Sequence, residues 1–264
     1  STTILGTASN NPTAICKPIT VYLDDNGSAF VTPQDADNGS FTVNGSVPVL
    51  QLSIGNLDCT NLGTSTYTLT VYDVSVTPPL TDVCTNIITV RDTISPVAVA
   101  RPVTIALDTG GIAILDPSDL DSLSTDNCGI ATFSADITQF DCSMLGQQAV
   151  LFTVEDASGN SNTVQTIVNV IISMPPLVQG AYLQLPINPT TGLAEVHAFS
   201  DLDGGSSDAC GGLVNIINAY PTTFSCSDIG LQWVNLMGQD VYGNIGYGFA
   251  IIEVQDLTPP IMSC

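Results

Sequence analysis

Basic residues are almost missing from this chain. Three Lys and Arg stand against 25 Asp and Glu in 264 residues, a net charge of −22. A surface with no cationic patch gains nothing from counterion release, which excludes nucleic-acid binding. An anionic membrane surface is disfavoured on the same ground. Long apolar runs are missing too. The nearest, VQTIVNVIISMPPLV, is broken by two prolines, so no membrane insertion is expected. One histidine, His197, and one lysine, Lys17, leave little for base or nucleophile chemistry, and the chain does not read as an enzyme. No secretory leader is visible at Ser1, as expected of a mature chain or an excised piece.

What is present is a large apolar fraction and many cysteines. Hydrophobic residues make up 44% of the chain and charged residues only 11%, so Ser, Thr, Asn and Gly must supply most of the polar surface. Eight cysteines occur without CxxC or Cys/His metal spacing, which points to disulfides and an oxidising, extracellular compartment. The dense negative charge suits surroundings rich in divalent cations.

Self-comparison shows repetition. SDLDSLSTDNCGI (118–130) matches SDLDGGSSDACGG, with Asp119, Asp121, Asp126 and Cys128 each 82 residues before Asp201, Asp203, Asp208 and Cys210. LDCTNLG, FDCSMLG and FSCSDIG place Cys59, Cys142 and Cys226 at steps of 83 and 84, and Asp73, Asp156 and Asp240 follow the same steps. Prolines 12, 96, 176 and 260 mark the module starts. The chain therefore reads as three tandem modules of about 84 residues. Residues 12–95, 96–175 and 176–259 form the modules. Residues 1–11 are the end of a preceding module or a leading strand, and 260–264 begin the next.

Each module is all-β by its periodicity. ITVYLD and VTIALD alternate apolar and polar residues and run into the turn signals DDNG and DTGG; NPTTG is the third module's turn. About seven short strands per module predict an Ig-like antiparallel β-sandwich. The short proline-bearing junctions RDTISP, ISMPP and QDLTPP predict a semi-rigid rod.

Cysteines that come and go together between modules are expected to bond together. Module one has Cys16 and Cys84, whose slots hold Ala100 and Val164 in module two and Gly180 and Gly248 in module three. Modules two and three each hold a second pair. The expectation is Cys16–Cys84, Cys128–Cys142 and Cys210–Cys226. Cys59 is then a free thiol, and Cys264 has its partner outside the fragment.

The acidic loops are the candidate metal sites. Asp119, Asp121 and Asp126, and Asp201, Asp203 and Asp208, concentrate carboxylates that repel one another unless solvated or bridged by a cation. Gly205, Ser206 and Gly212 stand where an EF-hand needs other residues, so any calcium site is of a different kind and weak, about 10⁻⁴–10⁻³ M. Module one offers a poorer set, Asp35 and Asp37, with Thr42 in the third slot. The plainer alternative is acidic Asx-turns. Asp156-Ala-Ser-Gly-Asn160 and Asp240-Val-Tyr-Gly-Asn244 read as hairpin turns. His197 reads as an exposed or half-buried sheet residue. Trp233 and Tyr242 read as sheet aromatics, with a sugar-binding face as the alternative.

PTAICKPITVYLDDNGSAFVTPQDADNGS, with STDNCG, FDCSMLG and VEDASGNSNTVQTIVNV, closely resembles the HYR-like, Ig-fold repeats of giant Bacteroidota surface proteins, of which the SprB-type gliding-motility adhesins are members. The resemblance covers nearly all of the chain. It implies type IX secretion and display on the outer membrane as adhesive filaments that grip a substratum or polysaccharide surface. Its implied partners are the attachment and secretion machinery and neighbouring repeats of the same chain. It also implies O-glycosylation at Asp-(Ser/Thr)-aliphatic triplets, here at Thr93 and Ser122. A carbohydrate-binding array, or accessory repeats of a secreted hydrolase, are the alternative functions.

Overall fold

A computed structural model describes residues 10–257; Cys264 and the expected module start at 260–264 lie outside them. The same set of strands recurs three times. The first repeat contains β1 (Ile19–Tyr22), β2 (Ser28–Phe30), β3 (Val49–Leu52), β4 (Asn56–Asp58), β5 (Gly63–Asp73) and β6 (Leu80–Arg91), with a single helical turn α1 (Pro33–Ala36). The second contains β7 (Val103–Ala106), β8 (Ile112–Ile114), β9 (Ile130–Ala135), β10 (Gln139–Asp141), β11 (Gly146–Asp156) and β12 (Ser161–Ile171). The third contains β13 (Tyr182–Pro186), β14 (Leu193–Glu195), β15 (Val214–Tyr220), β16 (Thr223–Ser225), β17 (Gly230–Asp240) and β18 (Ile245–Gln255).

Each repeat is a small sandwich. A four-stranded sheet, β1–β6–β5–β3 in the first repeat and β13–β18–β17–β15 in the third, faces a two-stranded ribbon, β2–β4 or β14–β16. Six strands appear rather than about seven. Further pairing near the repeat start is reduced to isolated bridges such as Thr13↔Phe41 and Cys16↔Asp37. The sheet is also not wholly antiparallel: β1 runs parallel to β6 and β13 parallel to β18. Entry and exit strands that point the same way put the two ends of a repeat at opposite poles, as a tandem chain requires.

Alternation places the core. On β5, Tyr67, Leu69, Val71 and Asp73 are buried and the intervening residues face outward. Tyr67, Leu69, Val71, Ile88 and Val90 pack with Leu23, Val31 and Leu57 to fill the first repeat. Val234, Leu236, Ala250, Ile252 and Val254 do the same in the third. Each fully buried aliphatic or aromatic side chain contributes about 1.5–3 kcal/mol relative to exposure. The Tyr67 hydroxyl donates to the Lys17 carbonyl, so the one polar atom of this large core residue is satisfied.

By compactness the chain divides into two units. Among the described residues, one comprises 10–100, 121–134 and 152–164; the other comprises 101–120, 135–151 and 165–257.

The disulfides correct two of the expected pairs. Cys16 bonds Cys84, but Cys59 bonds Cys128 and Cys142 bonds Cys210, with Cα–Cα distances of 5.4 and 5.6 Å. Cys128–Cys142 and Cys210–Cys226 do not form, and Cys59 is not free. Cys226 is the unpaired cysteine among the described residues and is exposed. The reason is positional. Cys59 sits beside the turn of Gly27, with its Sγ 3.6 Å from the Gly27 carbonyl and 3.5 Å from that of Asn127, the neighbour of Cys128. Cys142 stands in the same way 3.7 Å from the Gly111 carbonyl. Co-occurrence within a module holds for Cys16–Cys84 and fails for the other two pairs, which join one copy to the next.

Candidate metal centre

Three aspartates meet in the first compact unit. Asp92 follows the end of β6, Asp126 lies in the loop before β9, and Asp156 ends β11; one carboxylate oxygen from each lies within 4.8 Å of the others. Asp92 and Asp156 are buried and Asp126 is half-buried.

Local chemistry fixes each carboxylate. Asp156 closes its hairpin, its Oδ1 accepting from the Ser158 and Asn160 amides at 2.8 Å and its Oδ2 from the Asn160 side chain at 2.8 Å. Asn160 also donates to the Asp92 carbonyl at 3.3 Å, tying the hairpin to the strand end. Asp92 Oδ1 accepts from the Ile94 amide at 3.1 Å and from Asn127 Nδ2 at 3.2 Å. Asp126 Oδ2 accepts from the Cys128 amide at 2.8 Å. The Cys59–Cys128 disulfide therefore anchors the loop that carries Asp126 and Asn127.

Three oxygens are left over. Asp92 Oδ2, Asp126 Oδ1 and Asn127 Oδ1 are buried with no hydrogen-bond partner. Uncompensated buried acceptors cost about 1–3 kcal/mol each, and more when charged. The hydrogen bonds just described all come from amides, so no Lys or Arg offsets the charge in them. A shallow pocket lined by Asp25, Ile94, Thr125, Asp126 and Asn127 opens beside the group.

Of the acidic residues singled out by sequence, only Asp126 joins this group. Asp35 caps α1, accepting from the Thr32 hydroxyl and amide at 2.7 and 2.8 Å, which holds its carboxyl below the usual range. Asp37 receives the Ser40 amide at 3.0 Å, Asp121 the Ser124 amide at 3.0 Å, and Asp203 the Ser206 amide at 2.8 Å. At all three, burial raises the pKa, but the donated hydrogen bonds outweigh it and the net shift is downward. Asp119 and Asp201 are exposed on single 3-10 turns. Asp208 is buried and accepts from the Cys210 and Gly212 amides at 2.8 Å. Asp37, Asp121, Asp203 and Asp208 thus bond amides a few residues on, in the manner of Asx-turns. Thr93 is exposed; Ser122 is half-buried, its amide donating to the Val99 carbonyl at 2.9 Å. His197 is exposed, just beyond β14.

Sequence reading did not count Asp92 among the acidic sites and preferred a hairpin turn to a ligand site for Asp156. Asp156 does close a hairpin, and the same side chain faces the cluster. One signal was available: of the two junctions followed by a whole module, the first combines an Asp before its proline with an Asp-Asn-Cys-Gly loop after it, and the second does not.

No family model matches the chain. It is 25% identical over 211 residues to Hyalin from Lytechinus variegatus, covering 77% of this chain and 36% of that protein. It is also 25% identical over 242 residues to Hyalin from Strongylocentrotus purpuratus, covering 90% of this chain and 19% of that protein. The chain thus spans about a third and a fifth of these relatives. Among solved structures it is similar to the protocadherin gammaB4 extracellular domain, at 14% identity and a TM-score of 0.34, over 94% of this chain and 51% of that one. Mouse cadherin-23 EC22-24 has 8% identity and a TM-score of 0.34, with 94% of this chain and 100% of that one covered.

Proposed function

We propose that the chain is a structural and adhesive segment of a long extracellular repeat protein. In the finer form of this reading it belongs to a gliding-motility adhesin, secreted by the type IX system and attached at the outer membrane, that grips a substratum or polysaccharide surface. The observation that carries the reading is the covalent link from one sandwich copy to the next, Cys59–Cys128 and Cys142–Cys210. Disulfides between successive copies limit how far a loaded chain lengthens when a single copy loosens, a property useful to a tether. The similarity to proteins named Hyalin supports the coarser reading. The test is labelling of intact cells with antibodies raised against this segment. Surface filaments that lose label after external protease are expected. Label only after lysis would overturn the reading, and cells lacking the gene that still adhere and glide normally would remove its finer form.

A carbohydrate-binding array is favoured by one feature of the third repeat. Trp233, Tyr247 and Phe249 are exposed on the outward face of β17 and β18, with Tyr182 and Tyr220 exposed on the flanking strands. Trp233 and Phe249 meet edge to face at 4.7 Å. The equivalent stretch of β5 presents Thr64, Thr66 and Thr68. Aromatic faces of this kind stack on sugar rings. A glycan array read with wild type and Trp233→Ala checks it: hits lost in the variant support the reading, and no hits remove it.

A further inference from the structure

We propose that Asp92, Asp126 and Asp156, with Asn127, form a single calcium site, and that the chain carries no second one at the matching place in its third repeat. The cluster alone would not carry this. The second observation is that Asp92 Oδ2, Asp126 Oδ1 and Asn127 Oδ1 are buried and without partners, while Asp92 itself is only 6% exposed. A polypeptide that satisfies Asp156 with three amide donors yet leaves these three oxygens bare has kept them for something that is not a hydrogen-bond donor of its own.

The donor chemistry selects the ion. All the candidate ligands are oxygens, which suits a hard cation, and nearby Cys128 is in a disulfide and offers no thiolate. Two oxygens bound to one calcium at about 2.3–2.6 Å stand at most about 4.6–5.2 Å apart, and the carboxylate oxygens here lie within 4.8 Å of one another. Magnesium, at about 2.0–2.1 Å and octahedral, needs a tighter set. The pocket lined by Asp25 and Thr125 gives the ion a way in and room for its remaining waters.

The third repeat supplies an internal control. There Asp240 repeats the hairpin of Asp156, accepting from the Tyr242 and Asn244 amides at 2.9 and 2.8 Å, and Asn244 donates to the Ile172 carbonyl at 3.2 Å. The scaffold is the same, but Ile172, 4% exposed, fills the Asp92 slot, and Ala209 fills that of Asn127. Asp208 and Asp240 remain, without the other two donors. One position is built for an ion; its counterpart is closed by a hydrocarbon side chain.

Calcium titration calorimetry and thermal melting of the 264-residue chain test this. We expect one calcium per chain and a melting temperature raised by calcium. Asp92→Asn should weaken binding at least tenfold and abolish the calcium-induced rise. Without calcium it should melt no lower than wild type, because a like-charge contact has been removed; that separates ligand loss from misfolding. Asp240→Asn should leave the stoichiometry at one. No heat at millimolar calcium, or unchanged binding by Asp92→Asn, overturns the site. A stoichiometry of two that falls to one in Asp240→Asn overturns the asymmetry.

Discussion

Gly27 shows how much a single residue position can control. It closes the turn after Asp24 at a φ of +69°, and a Cβ there would meet the Asn127 carbonyl oxygen and the Cys59 sulfur, each at 2.6 Å. Gly192 has the same φ of +69° in the third repeat, with open space around it. Both positions favour glycine, but only the first is also walled in. Gly27→Ala should therefore cost more than the about 1 kcal/mol of strain expected for Gly192→Ala, by a further 1–3 kcal/mol or so, and denaturant melts of the two variants check the difference. The aspartates that cap turns predict an acid limit. Backbone donation from Ser28 to Asp24 and from Ser118 to Asp116, and hydroxyl donation from Ser143 to Asp141, lower these pKa values in the folded state. A folded pKa below the unfolded one gives stability that is complete above about pH 4–5 and lost as pH falls through the folded value. Melting temperature should be level from pH 7 to about 5 and drop below about pH 4. An unchanged melt at pH 3 would show these caps to be idle.

At the scale of elements, alternation on the long strands was legible from sequence because one face of a sheet is buried and a period of two follows directly. The phase read for ITVYLD is the phase of burial: Ile19 and Val21 are half-buried, Leu23 is buried, and Thr20 and Tyr22 are exposed. The three-residue strands β2 and β4 were not legible, since three residues carry no period and their pairing is decided by the sheet opposite. Cysteine pairing was legible for Cys16–Cys84 alone; for the others the partner depended on which loop reaches which turn. Alkylation without reductant checks the outcome among the described residues. Cys226 should be labelled and the six paired cysteines protected. Labelling of Cys59 would restore the pairing first expected from sequence.

For the molecule as a whole, the net charge of −22 and the copy-to-copy disulfides act together. Uniform negative charge keeps neighbouring chains apart, and the disulfides limit extension. The Cys142–Cys210 bridge spans 68 residues, which fully stretched amount to about 230 Å of hidden length. Pulling single chains should release at least that length only after reduction, and equal extension with and without reductant would count against a covalent brake. The sequence by itself determined the number of copies, the strand phase and the absence of cationic surface, because each is a local pattern or a sum that folding cannot alter. Only the tertiary structure decided that Asp92, Asp126 and Asp156 converge and that Cys59 finds Cys128. Those residues lie 30 or more positions apart, on the ends of different copies, and their meeting depends on how strand ends and loops pack, for which no local spacing rule exists.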